Sequence, residues 1–189
     1  GITMSQKPCR IILTGGPGSG KSTIINKLRR NGYSCSIEAG RAIIQDQSHI
    51  GGSALPWIDP LAFAELMLSW ELRSWHNASN IDDNSKPYFY DRGIPDIAGY
   101  LHFCERPIPQ HLENAIRLYR YSTTVFIAPP WKEIYLQDKE RQQTFDEAVA
   151  TYQAMLAIYR QYNYTLIELP KADVNQRVKF IINNITSLS

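Results

Sequence analysis

The sequence has few cysteines and histidines, and neither residue type falls in a pattern that binds metal or builds a disulfide framework. Its three cysteines, Cys9, Cys35 and Cys104, are scattered along the chain and never form a C-x-x-C pair. Its four histidines, at positions 49, 76, 102 and 111, also lack the spacing of metal ligands. We therefore expect reduced thiols, as in a cytoplasmic protein, and no metal site made of cysteine and histidine.

Long apolar runs and a strong net charge are also missing. No stretch is apolar for long enough to cross a bilayer, and the N-terminal residues lack the apolar core of a signal peptide. The formal net charge of +2 is too small to indicate binding to a nucleic acid or a membrane surface. A chain of 189 residues without repeats or linkers predicts a single domain over residues 1–189.

One glycine-rich stretch near the start carries the most specific signal. Residues 15–23 fit the P-loop or Walker A pattern G-x-x-x-x-G-K-[ST] and consist of Gly15, Gly16, Pro17, Gly18, Ser19, Gly20, Lys21, Ser22 and Thr23. Glycines allow successive backbone N–H groups to turn towards a phosphate. The lysine adds a positive charge, and the hydroxyl of Ser22 is a hard oxygen ligand suited to Mg²⁺. The motif predicts a site for ATP and Mg²⁺.

The residues around this motif support the prediction. An apolar run at 9–14 is typical of a buried parallel strand, and the apolar spacing after the motif predicts a helix over 20–31. Strand, loop and helix then follow in the order that a P-loop requires. The positive end of that helix would point at the bound phosphates.

Two further strands end on acidic residues. Residues 33–37 predict a second strand, followed by Glu38 and Arg41, and residues 87–91 predict a third strand ending on Asp91 and followed by Arg92. Open α/β sheets place ligands at the carboxyl ends of their strands, so these groups are candidate site residues. An apolar strand closed by aspartate is the Walker B arrangement, which holds Mg²⁺. For Glu38 and Arg41, the alternative is a surface ion pair at the start of a helix.

The rest of the chain alternates between helical and strand patterns. We expect a loop over 46–58, a helix from Asp59-Pro60 to about 78, a helix opened by Pro109, strands at 123–128 and 164–169, and a last helix from 174. Asp96 lies on a helix after the third strand and either contacts substrate or belongs to an ordinary helix start. Thr144 and Glu147 form a capping box, and the helix behind them has the apolar stripe Phe145, Val149, Tyr152, Leu156 and Tyr159. Five strands separated by helices predict an α/β fold with a parallel sheet.

Taken together, these motifs resemble small P-loop kinases and predicted ATPases of the nucleoside- and nucleotide-kinase type, including nicotinamide riboside kinase-type AAA domains. The resemblance rests on residues 15–23, Glu38-Ala39-x-Arg41, Asp91-Arg92-Gly93 and Asp138-x-x-Arg141. It implies a five-stranded parallel sheet in the order 2-3-1-4-5, with helices on both faces. It also implies a lid between strands four and five that closes over ATP.

The resemblance further implies roles for individual residues. Arg141 would be a lid arginine that touches phosphates, Glu38 would contact the acceptor hydroxyl, and Arg92 would lie near the acceptor or the transferred phosphate. The leading hypothesis is a kinase that transfers the γ-phosphoryl group of Mg-ATP to a small metabolite bearing a hydroxyl or phosphate. In it, Lys21, Glu38, Asp91, Arg92 and Arg141 act in catalysis, with Glu38 or Asp91 as the base. Ser22 and Asp91 hold Mg²⁺, and Glu38, Arg41, Arg92 and Asp96 contact the acceptor.

The same motifs also occur in proteins with other functions. A regulatory or partner-binding ATPase with no small acceptor would carry the same Walker motifs. A regulatory GTPase is disfavoured, because Asn26-Lys27 continues as Leu28-Arg29 and not as the Asn-Lys-x-Asp that reads guanine. Binding to single-stranded nucleic acid is disfavoured as well, since the aromatic residues fall on apolar helical stripes and the charge is nearly balanced.

Overall fold

The computed structural model describes residues 9–16, 18–78, 86–135 and 144–188. The strands are β1 (Arg10–Gly15), β2 (Ser34–Cys35), β3 (Tyr88–Asp91), β4 (Thr124–Ala128) and β5 (Thr165–Glu168). The helices are α1 (Lys21–Arg30), α2 (Ala39–Ile50), α3 (Pro60–Ala78), α4 (Ile94–Phe103), α5 (Gln110–Leu118), α6 (Lys132–Tyr135), α7 (Phe145–Gln161) and α8 (Val174–Leu188). Within the described residues, no helix is long and apolar enough to cross a membrane.

All five strands form one parallel sheet in the order β2-β3-β1-β4-β5. This order confirms the prediction. Because β1 lies in the middle, the loop that leaves it emerges between the ends of β3 and β4. Leu13 of β1 pairs in register with Asp91 of β3, which brings the third strand's carboxylate next to the start of the P-loop.

The sheet is buried on both faces, which explains why Ile11, Ile12 and Leu13 of β1 are all apolar. Ile11 and Leu13 pack with α1 and α8 on one face, whereas Ile12 packs with α3, α4, α5 and α7 on the other. Helix α2 joins α3 through a smaller apolar cluster of Ala39, Ile43 and Phe63. The strand ends are thereby fixed between two rigid helical layers.

Three details of the sequence prediction are wrong. Residues 46–50 are helical, because α2 continues until Gly51, which takes a left-handed conformation and ends the helix. Strand β2 has only two residues. Helix α7 buries a different face from the one predicted, since only Tyr159 of the predicted stripe is buried; the face consists of Ala148, Thr151, Ala154, Met155, Ile158 and Tyr159.

Candidate active site

The backbone of the P-loop takes conformations that glycine permits and that other residues rarely adopt. Gly15 has a φ of 145°, and a Cβ there would lie 2.7 Å from the carbonyl oxygen of Ala128 on the neighbouring strand. The buried hydroxyl of Ser19 donates to the carbonyl oxygen of Gly16 at 2.7 Å, which closes the loop on itself. Lys21 opens α1 and is only 5% exposed, whereas Ser22 beside it is exposed.

Lys21 connects the P-loop to the ends of two strands. Its ammonium group donates to the carboxylate of Asp91 at the end of β3 and lies 3.7 Å from the carboxylate of Glu38, which precedes α2. The backbone N–H of Asp91 donates to the Ser36 hydroxyl at 2.9 Å, which fixes the end of β3 against the segment after β2. Residues that are far apart in the sequence therefore meet at one edge of the sheet, as predicted.

Arg92 extends this network towards α4. Its Nε lies 3.5 Å from Glu38 and its Nη1 lies 3.5 Å from Asp96, while its backbone N–H donates to the Leu13 carbonyl at 3.0 Å. Arg92 has a φ of 73°, a left-handed conformation that is strained for a residue with a side chain. In this conformation the guanidinium group of Arg92 contacts both Glu38 and Asp96.

Asp96, at the start of α4, is buried and hydrogen-bonds to several residues of the site. Its carboxylate accepts hydrogen bonds from the hydroxyls of Thr14 and Tyr159 and from the backbone N–H of Gly93, in addition to its contact with Arg92. Burial, reinforced by the charge of Asp96, raises the pKa of Tyr159 well above its usual value, so this hydroxyl stays protonated and donates. Each oxygen of the Asp96 carboxylate thus accepts two hydrogen bonds, and the predicted contact of Asp96 with a substrate stays a prediction.

The electrostatics of Glu38 favour the ionised carboxylate. Burial alone would raise its pKa, but the charges of Lys21, Arg92 and Arg41, together with a hydrogen bond from Arg92, lower the pKa to about 2. Burial alone would lower the pKa of Arg92, but the charges of Glu38, Asp96 and Asp91 raise it. Arg41 is exposed and acts on Glu38 through its charge, without a direct ion pair among the described residues.

The residues also fit the magnesium that the motif predicts. Across the described ranges, no group of three or more histidine, cysteine, aspartate or glutamate side chains forms a metal site by itself. Mg²⁺ in phosphotransfer sites is usually held by one or two protein oxygens together with phosphate oxygens. The exposed hydroxyl of Ser22 and the carboxylate of Asp91 are oxygen donors of that kind.

The sequence pattern of the AAA_28 family, described as an AAA domain, matches residues 10–177, from the first residue of β1 into α8. The chain belongs to this family. No curated protein sequence matches this chain significantly.

Solved structures, two of them of kinases, share the fold of this chain. A deoxyadenosine kinase from M. mycoides with bound dATP has 14% identity and a TM-score of 0.67, over 94% of this chain and 99% of that one. The NadR protein in complex with NR has 16% identity and a TM-score of 0.65, over 95% of this chain and 51% of that one. Shikimate kinase from Acinetobacter baumannii in complex with shikimate has 15% identity and a TM-score of 0.59, over 97% and 96%. The AAA_28 domain therefore has the fold of small P-loop kinases.

One site residue of the AAA_28 domain escaped sequence reasoning. Glu71 on α3 is 2% exposed, and its Oε2 is buried without a hydrogen-bond partner among the described residues. Burial, followed by the charges of Asp96 and Asp91, raises its pKa well above the usual value, which favours the protonated side chain beside the carboxylates of the cluster. The signal was available, because Glu71 occupies a core position in the apolar spacing Ala64, Leu68, Glu71, Trp75 and Ala78.

Two predicted site residues, Pro17 of the P-loop and Arg141 of the lid, lie outside the described residues. Their roles stay predictions. Residues 136–143, which include Arg141, lie between α6 and α7 in the sequence, and the lid predicted there stays a prediction.

Proposed function

We propose that the protein is a kinase that transfers the γ-phosphoryl group of Mg-ATP to a hydroxyl group of a small acceptor. The observation that carries the proposal is the contact of Lys21 with both Asp91 and Glu38, continued by Arg92. A P-loop lysine, a Walker B carboxylate and an acceptor-side carboxylate and arginine share one ionic network. Phosphoryl transfer depends mainly on such positioning and charge neutralisation.

Each residue of the network has a defined task in this proposal. The P-loop amides and Lys21 bind the phosphates of ATP, so Lys21 exchanges its carboxylate partners for phosphate oxygens when the nucleotide enters. Ser22 and Asp91 would hold Mg²⁺, which would supply positive charge to offset that of the phosphates. Arg92 stabilises the transferred group, and Arg141 would add a second guanidinium from the lid.

Glu38 is the residue that we assign to the acceptor hydroxyl. With a pKa of about 2 it is ionised at neutral pH, so it orients the hydroxyl by accepting its hydrogen bond. Asp91 is less suited to this task, because it contacts Lys21 directly and is needed as an oxygen donor to Mg²⁺. When Lys21 moves to the phosphates, Glu38 loses a neighbouring cation and becomes a stronger base at the stage when proton transfer is required.

An acceptor screen tests the proposal. ATP consumption is measured with deoxyadenosine, nicotinamide riboside, shikimate and a wider set of hydroxyl-bearing metabolites, using wild-type protein and Glu38→Gln. The proposal predicts that one acceptor raises ATP consumption strongly and yields a phosphorylated product, and that Glu38→Gln removes this stimulation. Slow hydrolysis that no acceptor changes would instead support the ATPase without a small-molecule acceptor.

A further inference from the structure

Arg177 on α8 has a buried guanidinium group that contacts the backbone of the P-loop. It is 2% exposed and belongs to the largest fully buried side chains of the described residues. Its Nη1 donates to the carbonyl oxygen of Ser19 at 2.6 Å, and its Nε donates to the carbonyl oxygen of Pro170 at 2.7 Å. Arg177 thereby ties the phosphate loop to the turn that follows β5.

The positive charge of Arg177 has no acidic partner within the described part of the chain. Its remaining nitrogen, Nη2, is buried without a hydrogen-bond partner there, and its Cζ lies 5.1 Å from the centre of the Trp131 ring. Burial lowers the pKa of Arg177, yet an arginine remains protonated at neutral pH. A buried cation that no carboxylate neutralises is costly, and its field acts on any anion bound nearby.

Through the contact with Ser19, this charge acts on the side of the loop that would face the phosphates. The Ser19 carbonyl and the Gly20 N–H belong to one planar trans peptide unit, so they point in opposite directions. A guanidinium group on the oxygen polarises the unit and makes the N–H a stronger donor. In a P-loop this N–H belongs to the series that cradles phosphates.

Gly20 is what allows the close approach. It has a φ of 83°, and a Cβ at this position would lie 2.9 Å from Nη1 of Arg177. A side chain there would push the guanidinium group away from the Ser19 carbonyl. The glycine that precedes Lys21 therefore serves both the loop conformation and the arginine behind it.

We propose that Arg177 is a positioning residue of the nucleotide site, which strengthens triphosphate binding by polarising the Ser19–Gly20 peptide. The inference rests on the proposed function only in requiring that the P-loop binds a triphosphate, and it does not depend on the acceptor. It predicts that the charge of residue 177 matters beyond its capacity to hold two carbonyl groups.

Titration calorimetry with Mg-ATP and with inorganic triphosphate tests this role in wild-type protein, Arg177→Gln and Arg177→Lys. Glutamine keeps a hydrogen-bond donor without charge, whereas lysine keeps the charge. We expect Arg177→Gln to bind both ligands roughly tenfold more weakly, the scale of one charge-assisted hydrogen bond, and Arg177→Lys to stay within about threefold of wild type. The matched control is Arg120→Gln, since Arg120 also donates to a carbonyl, that of Tyr162, and stacks on Tyr164, but lies away from the P-loop.

Several results would overturn the role of Arg177. Equal affinities in wild type and folded Arg177→Gln contradict it, as does a loss for Mg-ATP that inorganic triphosphate does not show. If Arg177→Gln does not fold, Arg177→Lys decides, because a tenfold loss in that variant means that the carbonyl contacts matter and the charge does not. Wild-type protein that binds neither ligand contradicts the proposed function itself and this inference with it.

Discussion

Arg92 combines a strained backbone with a central position in the ionic network. Its φ of 73° would suit glycine, and its side chain joins Glu38 to Asp96. Strained residues of this kind cluster at functional sites, where the surrounding structure holds them in place. In the proposed mechanism, this conformation would present the guanidinium group of Arg92 to the transferred phosphoryl group.

Two substitutions separate the strain from the side chain. Arg92→Ala and Arg92→Gly both remove the guanidinium group, but only glycine relieves the left-handed conformation. We expect Arg92→Gly to be more stable than Arg92→Ala by about 1 kcal/mol in urea unfolding, with both inactive in phosphoryl transfer. Equal stabilities would show that the backbone relaxes in the alanine variant, and activity in either variant would remove Arg92 from the proposed mechanism.

At the level of single residues, the sequence predicted the site where the chemistry lies close to a recognisable motif. Lys21, Asp91 and Glu38 could be placed because each follows a strand that ends at the same edge of the sheet. Tyr159, Glu71 and Arg177 could not, since their contacts with Asp96, the carboxylate cluster and Ser19 depend on how helices pack across the sheet. Polar residues at core positions of a helix were the available clue.

Among the elements, α7 shows most clearly what the sequence could predict. Its start was predicted correctly, because Thr144 accepts a hydrogen bond from the backbone N–H of Glu147 at 3.1 Å. Its buried face was not predicted correctly, because the prediction placed the large apolar residues of the helix on that face. Helix α7 passes close to two glycines: Met155 fills the space beside Gly99 of α4, and Ala148 and Thr151 lie beside Gly16 of the P-loop.

The cap of α7 can be tested separately from the site. Thr144→Ala removes the side-chain acceptor for an otherwise unsatisfied N–H and should lower the free energy of unfolding by about 1 kcal/mol, whereas Thr144→Ser should be nearly neutral. Urea denaturation monitored by circular dichroism measures the difference. An alanine variant as stable as wild type would mean that water replaces the cap without loss.

For the whole molecule, the strand order followed from the sequence because alternating strands and helices permit few parallel topologies. Strand β2 was shorter than expected, since an edge strand needs only enough pairing with β3 to direct Ser36 and Glu38 towards the P-loop. The architecture could thus be predicted from the pattern of elements. The ionic network required the register, which pairs Leu13 with Asp91.

The stability of the molecule should depend on pH through two carboxyl groups with opposite shifts. The pKa of Glu38 is lowered to about 2, so its contribution is present above its ordinary value of 4.5 and is lost as the pH falls towards 2. The pKa of Glu71 is raised, so its contribution is complete below 4.5 and is lost as the pH rises.

Chemical denaturation between pH 5 and about 9 tests the second of these effects, using wild type and Glu71→Gln. Glutamine stays neutral and nearly isosteric, so the variant should gain stability relative to wild type as the pH rises. The shift of Glu38 gives the reverse expectation for Glu38→Gln, whose stability relative to wild type should rise as the pH falls from 4.5 towards 2. A stability difference for Glu71→Gln that does not change with pH would mean that Glu71 titrates normally.

The central claim is that the P-loop binds a triphosphate, and that Lys21 then exchanges its contacts with Asp91 and Glu38 for contacts with the phosphates. Its most direct test is the affinity for Mg-ATP, measured by titration calorimetry in wild-type protein, Lys21→Ala and the control Lys27→Ala on the same helix, with folding checked by circular dichroism. The account predicts saturable binding by wild type and Lys27→Ala, and binding weakened by roughly tenfold or more in Lys21→Ala, since charge-assisted hydrogen bonds to phosphate are lost. Wild-type protein that does not bind Mg-ATP, or folded Lys21→Ala that binds it equally well, would contradict the account.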